Sequence, residues 1–419
     1  MDCPVIKDLF LFDSTGWFFA SVFGFVGILA FIYSFSYMKK YEHSGEYYLV
    51  FILLILSLIG LSFSGNFILL YIFWELIAFS TWRLVGFHRK PEVVRIADKT
   101  FLIMFFGSSL MLLGFVMLHE ELLHYGVNTF SILEMRGLRM AGFYTPSALA
   151  IILIFAGIIA KSATIPLHTW LADAHPVAPS PMSAVLSGLV AKVGILGFVR
   201  IFIQTFGLTG NWILILAGIS SIVAAGGALV ENDMKKIIAY STVSQLGYIF
   251  LGIALITNIG IISGLLYFAS HAIAKAGLFL CAGIVEQSTG EKDIRKLGGL
   301  MKSMPATGVS FLFCALSIMG IPPFFGFYPK LGTVMGLVES GHFYIAILAI
   351  IIAIMTILYL MRIFNAIFLG TSTQEMLPVR EGTKLMVAIV IILAILSLQM
   401  GLFINIPLDF VNAAVNIIK

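Results

Sequence analysis

Long apolar stretches separated by short polar connections run through almost the whole sequence. A membrane-spanning helix needs about 20 mostly apolar residues, and the pattern predicts twelve such helices. They are residues 17–38, 47–64, 66–86, 97–118, 147–175, 181–205, 212–230, 234–257, 260–288, 305–338, 342–369 and 384–406. Two of the divisions depend on short polar breaks, at Asn66 and at Thr257. The pattern therefore predicts an all-α polytopic membrane protein with about 12 transmembrane helices.

Two of the predicted spans are longer than a bilayer requires and contain prolines. The fifth contains Pro166, and the tenth contains Pro322 and Pro323. Proline removes a backbone donor and clashes with the preceding turn, so each helix should break there. Harmless kinks are the alternative. A lysine near each break, Lys161 or Lys330, favours breaks that line a buried polar site.

The two breaks lie five helices apart, which predicts two five-helix halves that are inverted relative to each other. Paired broken helices in inverted halves are typical of a transport site. The halves have no strong residue identity, so this repeat is inferred from topology. The predicted division is an N-terminal span and cytoplasmic loop at 1–46, half-channels at 47–205 and 206–369, and a C-terminal span with a short tail at 370–419.

Composition agrees with a surface that faces lipid. Of 419 residues, 60% are hydrophobic and 11% are charged, whereas soluble domains carry about 25% charged residues. The net charge of +4 and the lack of a basic run argue against nucleic-acid binding. Cys3, Cys281 and Cys314 are far apart, which argues against a zinc or iron–sulfur site and against disulfides. No cleavable signal peptide is expected.

Most of the lysines and arginines fall in loops on one predicted side. These residues are Lys39, Lys40, Arg89, Lys90, Arg95, Lys99, Lys235, Lys236, Lys292, Arg295, Lys296, Lys302, Arg380 and Lys384. The other side holds Lys7, Arg136, Arg139, Arg200 and Lys419. Because basic loops remain on the inside, the pattern predicts a multi-pass cell-membrane protein with cytoplasmic basic loops and both termini outside.

Four lysines fall within the predicted spans, namely Lys161, Lys192, Lys275 and Lys330. A charge at the bilayer centre costs about 2.5–3.5 kcal/mol on insertion scales. These lysines should therefore face the interior of the bundle, where water or partners can stabilise them.

Glu75 is the one acidic residue deep in a predicted span. Lys161 is the partner we expect, because a nearby ammonium stabilises a buried carboxylate. Lys161 also precedes Pro166 by five residues, so carbonyls freed by the break could accept its hydrogen bonds. A static pair between Glu75 and Arg83 is the alternative, although eight residues place them about two turns apart.

The other intramembrane groups form the rest of a possible proton relay. Lys192 lies near the middle of its span, and snorkelling to an interface is its alternative. His271 and Lys275 are four residues apart and share a helix face, and histidine titrates near neutral pH; a hydrogen-bonded core histidine is the alternative. Lys330 would end the row, unless it lies at the outer water interface.

Three polar side chains follow the first break, namely His168, Asp173 and His175. Their spacing could suit a metal, but no further carboxylate or cysteine completes a site. Polarity at the mouth of a cavity is the favoured interpretation.

Several long segments resemble one family. They are FWELIAFSTWRLVGF around Glu75, AKSATIPLHTWLADAHPVAPSPMSAVLSGLVAKVGILGFVR at 160–200, ENDMKKIIAYSTVSQLGYIFLGI from Glu231, HAIAKAGLFLCAG from His271, and GIPPFFGFYPK ending at Lys330. They resemble the antiporter-like subunits shared by respiratory complex I (NADH:quinone oxidoreductase), Mrp-type Na+/H+ antiporters, and membrane-bound hydrogenase and sulfane reductase complexes. The resemblance covers about three quarters of the chain.

The resemblance implies two inverted half-channels linked by a central polar axis. It implies an ion pair of Glu75 with Lys161, a bridging Lys192, a terminal Lys330 near the far exit, and His271 and Lys275 on the axis. It also implies that this chain has no redox centre, cofactor or catalytic site of its own. Its expected partners are other membrane-arm subunits and a peripheral redox module with iron–sulfur clusters.

Members of that family usually have fourteen core helices, so two N-terminal helices and a long lateral C-terminal helix are expected to be missing here. A compact hydrogenase- or sulfane-reductase-type assembly is therefore favoured. The function predicted from the sequence is translocation of protons or sodium ions as one subunit of a redox-driven membrane complex. A stand-alone Na+/H+ antiporter and a structural subunit with vestigial channels are the alternatives.

Overall fold

Helices form the regular secondary structure of residues 8–371 and 380–415, the part of the chain that the computed structural model describes. The predictions for Cys3, Lys7 and Lys419 lie outside these residues. The first eight helices are α1 Ser14–Tyr37, α2 Ser44–Ser62, α3 Phe67–Val85, α4 Pro91–His124, α5 Ile132–Met140, α6 Ala148–Lys161, α7 Thr169–Val177 and α8 Ser180–Gly188. The others are α9 Val193–Gly197, α10 Asn211–Val230, α11 Met234–Ile253, α12 Asn258–Thr289, α13 Pro305–Met319, α14 Phe327–Glu339, α15 Phe343–Phe364, α16 Lys384–Leu402 and α17 Asn405–Val415.

The predicted all-α membrane fold is confirmed. Within the described residues, nine helical segments are long and apolar enough to cross a membrane. The other three predicted spans correspond to α11 and to the two proline-containing pairs, α6 with α7 and α13 with α14. Both pairs are interrupted as expected, by residues 162–168 and 320–326.

Polar caps separate the helices at the two weakest predicted divisions. The Asn66 side chain accepts a 2.8 Å hydrogen bond from the Ile68 amide at the start of α3. The Thr257 hydroxyl accepts a 3.1 Å bond from the Gly260 amide at the start of α12. Such caps satisfy amides that the first helical turn leaves free, so these short polar breaks are sufficient to end one span and begin the next.

The sixth predicted span, 181–205, is not the single regular helix that the sequence pattern indicated. The α-helical hydrogen bonding stops at Gly188, a 3₁₀ turn follows at Val190–Lys192, and a π-helical segment, Phe198–Thr205, ends the span after α9. The span contains no proline after Pro181, so the usual sequence signal for an interruption is missing. Its structural reason is the Lys192 side chain, which is described below.

The most deeply buried segments lie at the centre of the bundle. In the segment from α8 through the π-helical segment, 100% of the residues in the 18-residue apolar stretch are buried. The share is 89% in the corresponding stretch of α12 and 33% in that of α15. Helix α12 packs against α8, α11, α13, α14 and α16. The lysines of the tenth span, of α12 and of the 3₁₀ turn therefore approach one another inside protein.

Candidate functional site

Lys161 is the last residue of α6, at the first helix break. It is fully buried, and its ammonium donates a 2.9 Å hydrogen bond to the backbone oxygen of Trp74 on α3. The ammonium also lies 5.4 Å from the centre of the Trp74 ring, where the ring quadrupole attracts a cation. The carbonyl that binds Lys161 thus comes from a neighbouring helix and not from the break itself.

Glu75 follows Trp74 on α3 but does not take part in the hydrogen bond between Trp74 and Lys161. Its carboxylate interacts electrostatically with Lys161, but the ammonium donates to Trp74 and makes no direct ion pair with Glu75. The Oε1 atom of Glu75 is buried and has no hydrogen-bond partner among the described residues. Arg83, the alternative partner, instead pairs with Glu46.

Lys192 explains the interruption of the sixth span. Its ammonium donates to the backbone oxygens of Ser187 at 3.0 Å and Gly188 at 2.8 Å. These carbonyls belong to the last turn of α8, where a helix leaves acceptors unused. The side chain is fully buried, so it does not snorkel to an interface.

A series of polar contacts links Lys192 to Lys275. The Ser187 hydroxyl lies 2.7 Å from the Thr242 hydroxyl, which donates to the Ile238 oxygen at 3.0 Å. That same oxygen accepts a 3.0 Å hydrogen bond from the Lys275 ammonium. Lys192 and Lys275 thus lie at the two ends of a series of polar groups on α8 and α11, in which Ser187 contributes its backbone oxygen to Lys192 and its hydroxyl to Thr242.

The polar contacts continue from Lys275 towards the second helix break. Lys275 donates to the Ser241 hydroxyl, which lies beside the Tyr359 hydroxyl. The Gln245 amide donates to Tyr359 at 3.3 Å, and its oxygen accepts a hydrogen bond from the Tyr267 hydroxyl. The row thus extends from α12 through α11 and α15.

Lys330 lies at the end of this row, on α14. Its ammonium is 5.3 Å from the centre of the Tyr248 ring and 5.5 Å from that of Tyr267. It has no hydrogen-bond partner among the described residues and lines a cavity of about 310 Å³. With 5% exposure the Lys330 side chain is buried within the protein.

His271 lies among three of the lysines. It is fully buried and interacts electrostatically with Lys192, Lys275 and Lys330. Its ring contacts the edge of Tyr267, and neither ring nitrogen has a hydrogen-bond partner in the described part of the chain. No hydrogen bond of the kind expected for a hydrogen-bonded core histidine is therefore seen within the described residues.

The three polar residues that follow the first helix break have different surroundings. Asp173 forms a 2.7 Å ion pair with Lys99, His168 is partly exposed, and His175 is fully buried against Phe279. Across residues 8–371 and 380–415, no three His, Cys, Asp or Glu side chains are grouped as metal ligands.

Two further ionic contacts were not predicted from the sequence. Arg200, which was assigned to an outer loop, is fully buried and forms a bidentate pair with Asp13 at 2.5 and 2.6 Å. Lys235, which was assigned to a cytoplasmic loop, is 1% exposed and pairs with Glu286 at 2.5 Å. Arg200 lies within a strongly apolar run, GILGFVRIFIQTF. A charged residue in such a run is expected to face the protein interior, and this was the sequence signal for its burial.

Comparisons with known proteins agree with this architecture. The family described as NADH:quinone oxidoreductase/Mrp antiporter, transmembrane, matches residues 64–356. The Na(+)/H(+) antiporter subunit A1 of Staphylococcus haemolyticus is 33% identical over 94% of this chain and 52% of its own length. The corresponding subunit of Staphylococcus saprophyticus is 34% identical over 89% of this chain and 49% of its own length. The chain thus spans about half the length of these curated relatives.

Two solved structures have the same fold. A chain of the Mrp complex from a Dietzia species matches with a TM-score of 0.90 and 24% identity, over 98% of this chain and 85% of that chain. A chain of the membrane-bound sulfane sulfur reductase, an archaeal respiratory membrane complex, matches with a TM-score of 0.86 and 24% identity, over 97% and 82%.

Fold and site together define a multi-pass helical membrane protein with two broken helices and a central row of buried lysines. The chain belongs to the NADH:quinone oxidoreductase/Mrp antiporter transmembrane family.

Proposed function

We propose that this chain translocates protons or sodium ions as an antiporter-like subunit of a larger membrane complex. The observation that carries the proposal is the polar row from Lys192 through Lys275 to Tyr267 and Lys330. Charged groups inside a membrane domain are expensive and mark ion pathways. A lysine whose ammonium can lose a proton, and whose amine can then regain one, is suited to a relay along such a row.

In this function the two broken helices supply the ends of the pathway. Lys161 with Glu75 would act at the first break, Lys192 would bridge the halves at 47–205 and 206–369, and Lys330 would lead to the far exit. His271 and Lys275 would hold or pass the proton between them. The basic loops would face the cytoplasm, since this arrangement follows the positive-inside rule.

The source of energy is the second part of the proposal. A peripheral redox module with iron–sulfur clusters would bias the lysine row, and the structural likeness to a respiratory sulfane reductase chain supports such a partner. The names of the sequence relatives favour the other candidate, Na+/H+ exchange within an antiporter complex. Iron content and the list of subunits that co-purify in mild detergent distinguish the two.

The pathway is tested by Lys161→Ala in membrane vesicles that contain the assembled complex. We expect ion translocation to fall at least about tenfold, which corresponds to 1.4 kcal/mol in the barrier. Lys296→Ala, on a surface loop with a half-exposed side chain, is the matched control and should translocate at the normal rate. Unchanged translocation by Lys161→Ala in a normally assembled complex would show that the proposed pathway through the first break is wrong.

A further inference from the structure

A cavity of about 500 Å³ opens where several predicted basic loops meet. Its lining includes Tyr37, Tyr41, His88, Lys90, Glu286 and Lys292. These residues come from the end of α1, the connection of α3 to α4, and the end of α12 with the loop that follows. The cavity thus opens at this end of the bundle, between the ends of α1, α7 and α12.

One lining residue of this cavity, Glu286, forms an ion pair with Lys235, which is not itself a lining residue. Glu286 is 23% exposed and accepts from Lys235 at 2.5 Å, whereas the Lys235 side chain is 1% exposed. Lys235 also donates to the Ala178 oxygen at 3.2 Å, and the Ser180 hydroxyl donates to Glu286 at 3.3 Å. The carboxylate therefore meets the cavity, and the ammonium lies on its protein side.

His175 lies in the last turn of α7, directly before the lining residues Pro176 and Val177. It is fully buried, its ring stacks on Phe279 with centres 4.2 Å apart, and it interacts electrostatically with both Lys235 and Lys275. Neither of its ring nitrogens has a hydrogen-bond partner among the described residues. An unpaired buried polar group costs about 1–3 kcal/mol. Phe279, on which the ring stacks, lies one helical turn from Lys275 on α12, and Lys235 binds the backbone oxygen of Ala178, three residues after His175. This imidazole therefore lies near both lysines.

We propose that the cavity is the entrance of a proton branch that runs through Glu286, Lys235 and His175 to Lys275. The branch rests on the proposed function, because it supplies the lysine row described there. A proton from water in the cavity passes by way of the Glu286–Lys235 pair to one nitrogen of His175. The proton on the other nitrogen then passes to the neutral amine of Lys275, so that the imidazole returns to its neutral form.

The chemistry of the branch selects protons over sodium ions. Hard cations such as Na+ need several oxygen ligands, whereas the inner half of this branch presents an imidazole and two lysine side chains. Imidazole exchanges protons readily near neutral pH. Lys235 and Lys275 are the titratable groups that interact with His175, and neither side chain offers an oxygen ligand to a metal cation.

The test compares two histidine variants in vesicles that contain the assembled complex. His175→Gln should lower proton translocation at least about tenfold. His168→Gln, in the same interrupted span but partly exposed, should translocate within about twofold of the unaltered protein. The thermal unfolding midpoint and subunit composition of each complex establish that the variant has assembled.

A second test uses a cysteine that is modified only after the complex has assembled. A loss of translocation on modification then cannot come from a failure of the variant to fold. Val177 lines the cavity, whereas Cys281 and Cys314 are fully buried. In a Cys3→Ser background, Val177→Cys should react with a membrane-impermeant thiol reagent from the side of the basic loops only, and modification should block proton translocation. The same reagent should leave the background protein active.

The outcomes separate the branch from the proposed function. If Thr242→Val and Lys161→Ala reduce translocation but His175→Gln and modified Val177→Cys do not, the branch is wrong and the lysine row stands. If none of these changes reduces translocation, the proposed function fails and the branch fails with it. Labelling of Val177→Cys from the opposite side only would also overturn the branch.

Discussion

The Ser187 hydroxyl on α8 and the Thr242 hydroxyl on α11 share a 2.7 Å hydrogen bond deep inside the bundle. The Thr242 proton is directed to the Ile238 oxygen, so Ser187 is the donor in this pair. Their helices belong to different predicted halves, 47–205 and 206–369. The bond is therefore the side-chain contact that carries the polar row across the boundary between the halves.

Thr242→Val removes this hydroxyl while keeping the shape of the side chain. The free energy of unfolding should fall by only about 0.5–1.5 kcal/mol, the usual net value of a hydrogen bond. Ion translocation should fall about tenfold, because Lys192 and Lys275 lose their link. Vesicle assays and thermal unfolding in detergent measure the two effects.

Thr100→Val is the matched control for this change. Thr100 is also fully buried, and its hydroxyl donates to Ile96 within α4, a helix that carries none of the four buried lysines. Its stability cost should be similar, with normal translocation. Equal translocation by Thr242→Val and Thr100→Val would contradict a role for the hydroxyl link, and Thr242→Ser should restore activity.

The order and approximate bounds of the membrane spans could be predicted from the sequence, because the composition of each span identifies it. Asn66 and Thr257 were sufficient to mark two weak boundaries, since each caps a helix with its own side chain. Pro166 marked the first break for the same local reason. These features depend on interactions between residues close in the sequence.

The site was less predictable because its partners are distant along the chain. Lys161 binds the backbone oxygen of Trp74, and any residue type offers such an oxygen, so the sequence gives no signal for it. The interruption after Gly188 has no proline, and Lys192 causes it through two carbonyls. Lys235 was assigned to a loop because its burial depends on Glu286, 51 positions away.

Tyr267 has two separable roles beside Lys330. Its ring lies 5.5 Å from the ammonium, and its hydroxyl donates to Gln245. Tyr267→Phe should keep the ring contact, lose the hydroxyl link and reduce translocation. Tyr267→Leu should in addition lose the cation–π attraction, which is worth about 2 kcal/mol when desolvated, and should unfold at a lower temperature than Tyr267→Phe.

Tyr33→Phe is the control for the loss of a buried phenol hydroxyl. Tyr33 is fully buried and donates to the Leu280 oxygen at 2.9 Å, away from the lysine row. We expect normal translocation at a similar cost in stability. If Tyr33→Phe and Tyr267→Phe translocate equally well, the Tyr267 hydroxyl is not part of the pathway.

The buried pair of Arg200 and Asp13 predicts a large stability effect. Asp13→Ala leaves the Arg200 guanidinium buried without its carboxylate, which should lower the free energy of unfolding by about 3–5 kcal/mol. Replacing both partners with apolar residues, as Asp13→Leu with Arg200→Met, should cost less than Asp13→Ala alone. Chemical unfolding in detergent measures the free energy of unfolding of each variant. If the double variant is less stable than Asp13→Ala, the pair stabilises the protein by more than the interaction of its two charges.

Acid should loosen the connection between α12 and α13. The Arg295 guanidinium, 2.7 Å from Asp293, holds the pKa of that carboxyl at about 2, below its unpaired value of about 3.9. Because the folded pKa is the lower one, the carboxylate stabilises this connection above about pH 4, and the contribution is lost as the pH falls towards 2. Hydrogen exchange of residues 290–297, corrected for intrinsic rates, should therefore accelerate between pH 4 and 2. Asp293→Asn should show fast exchange throughout, and equal pH dependence in both proteins would assign the transition to another group.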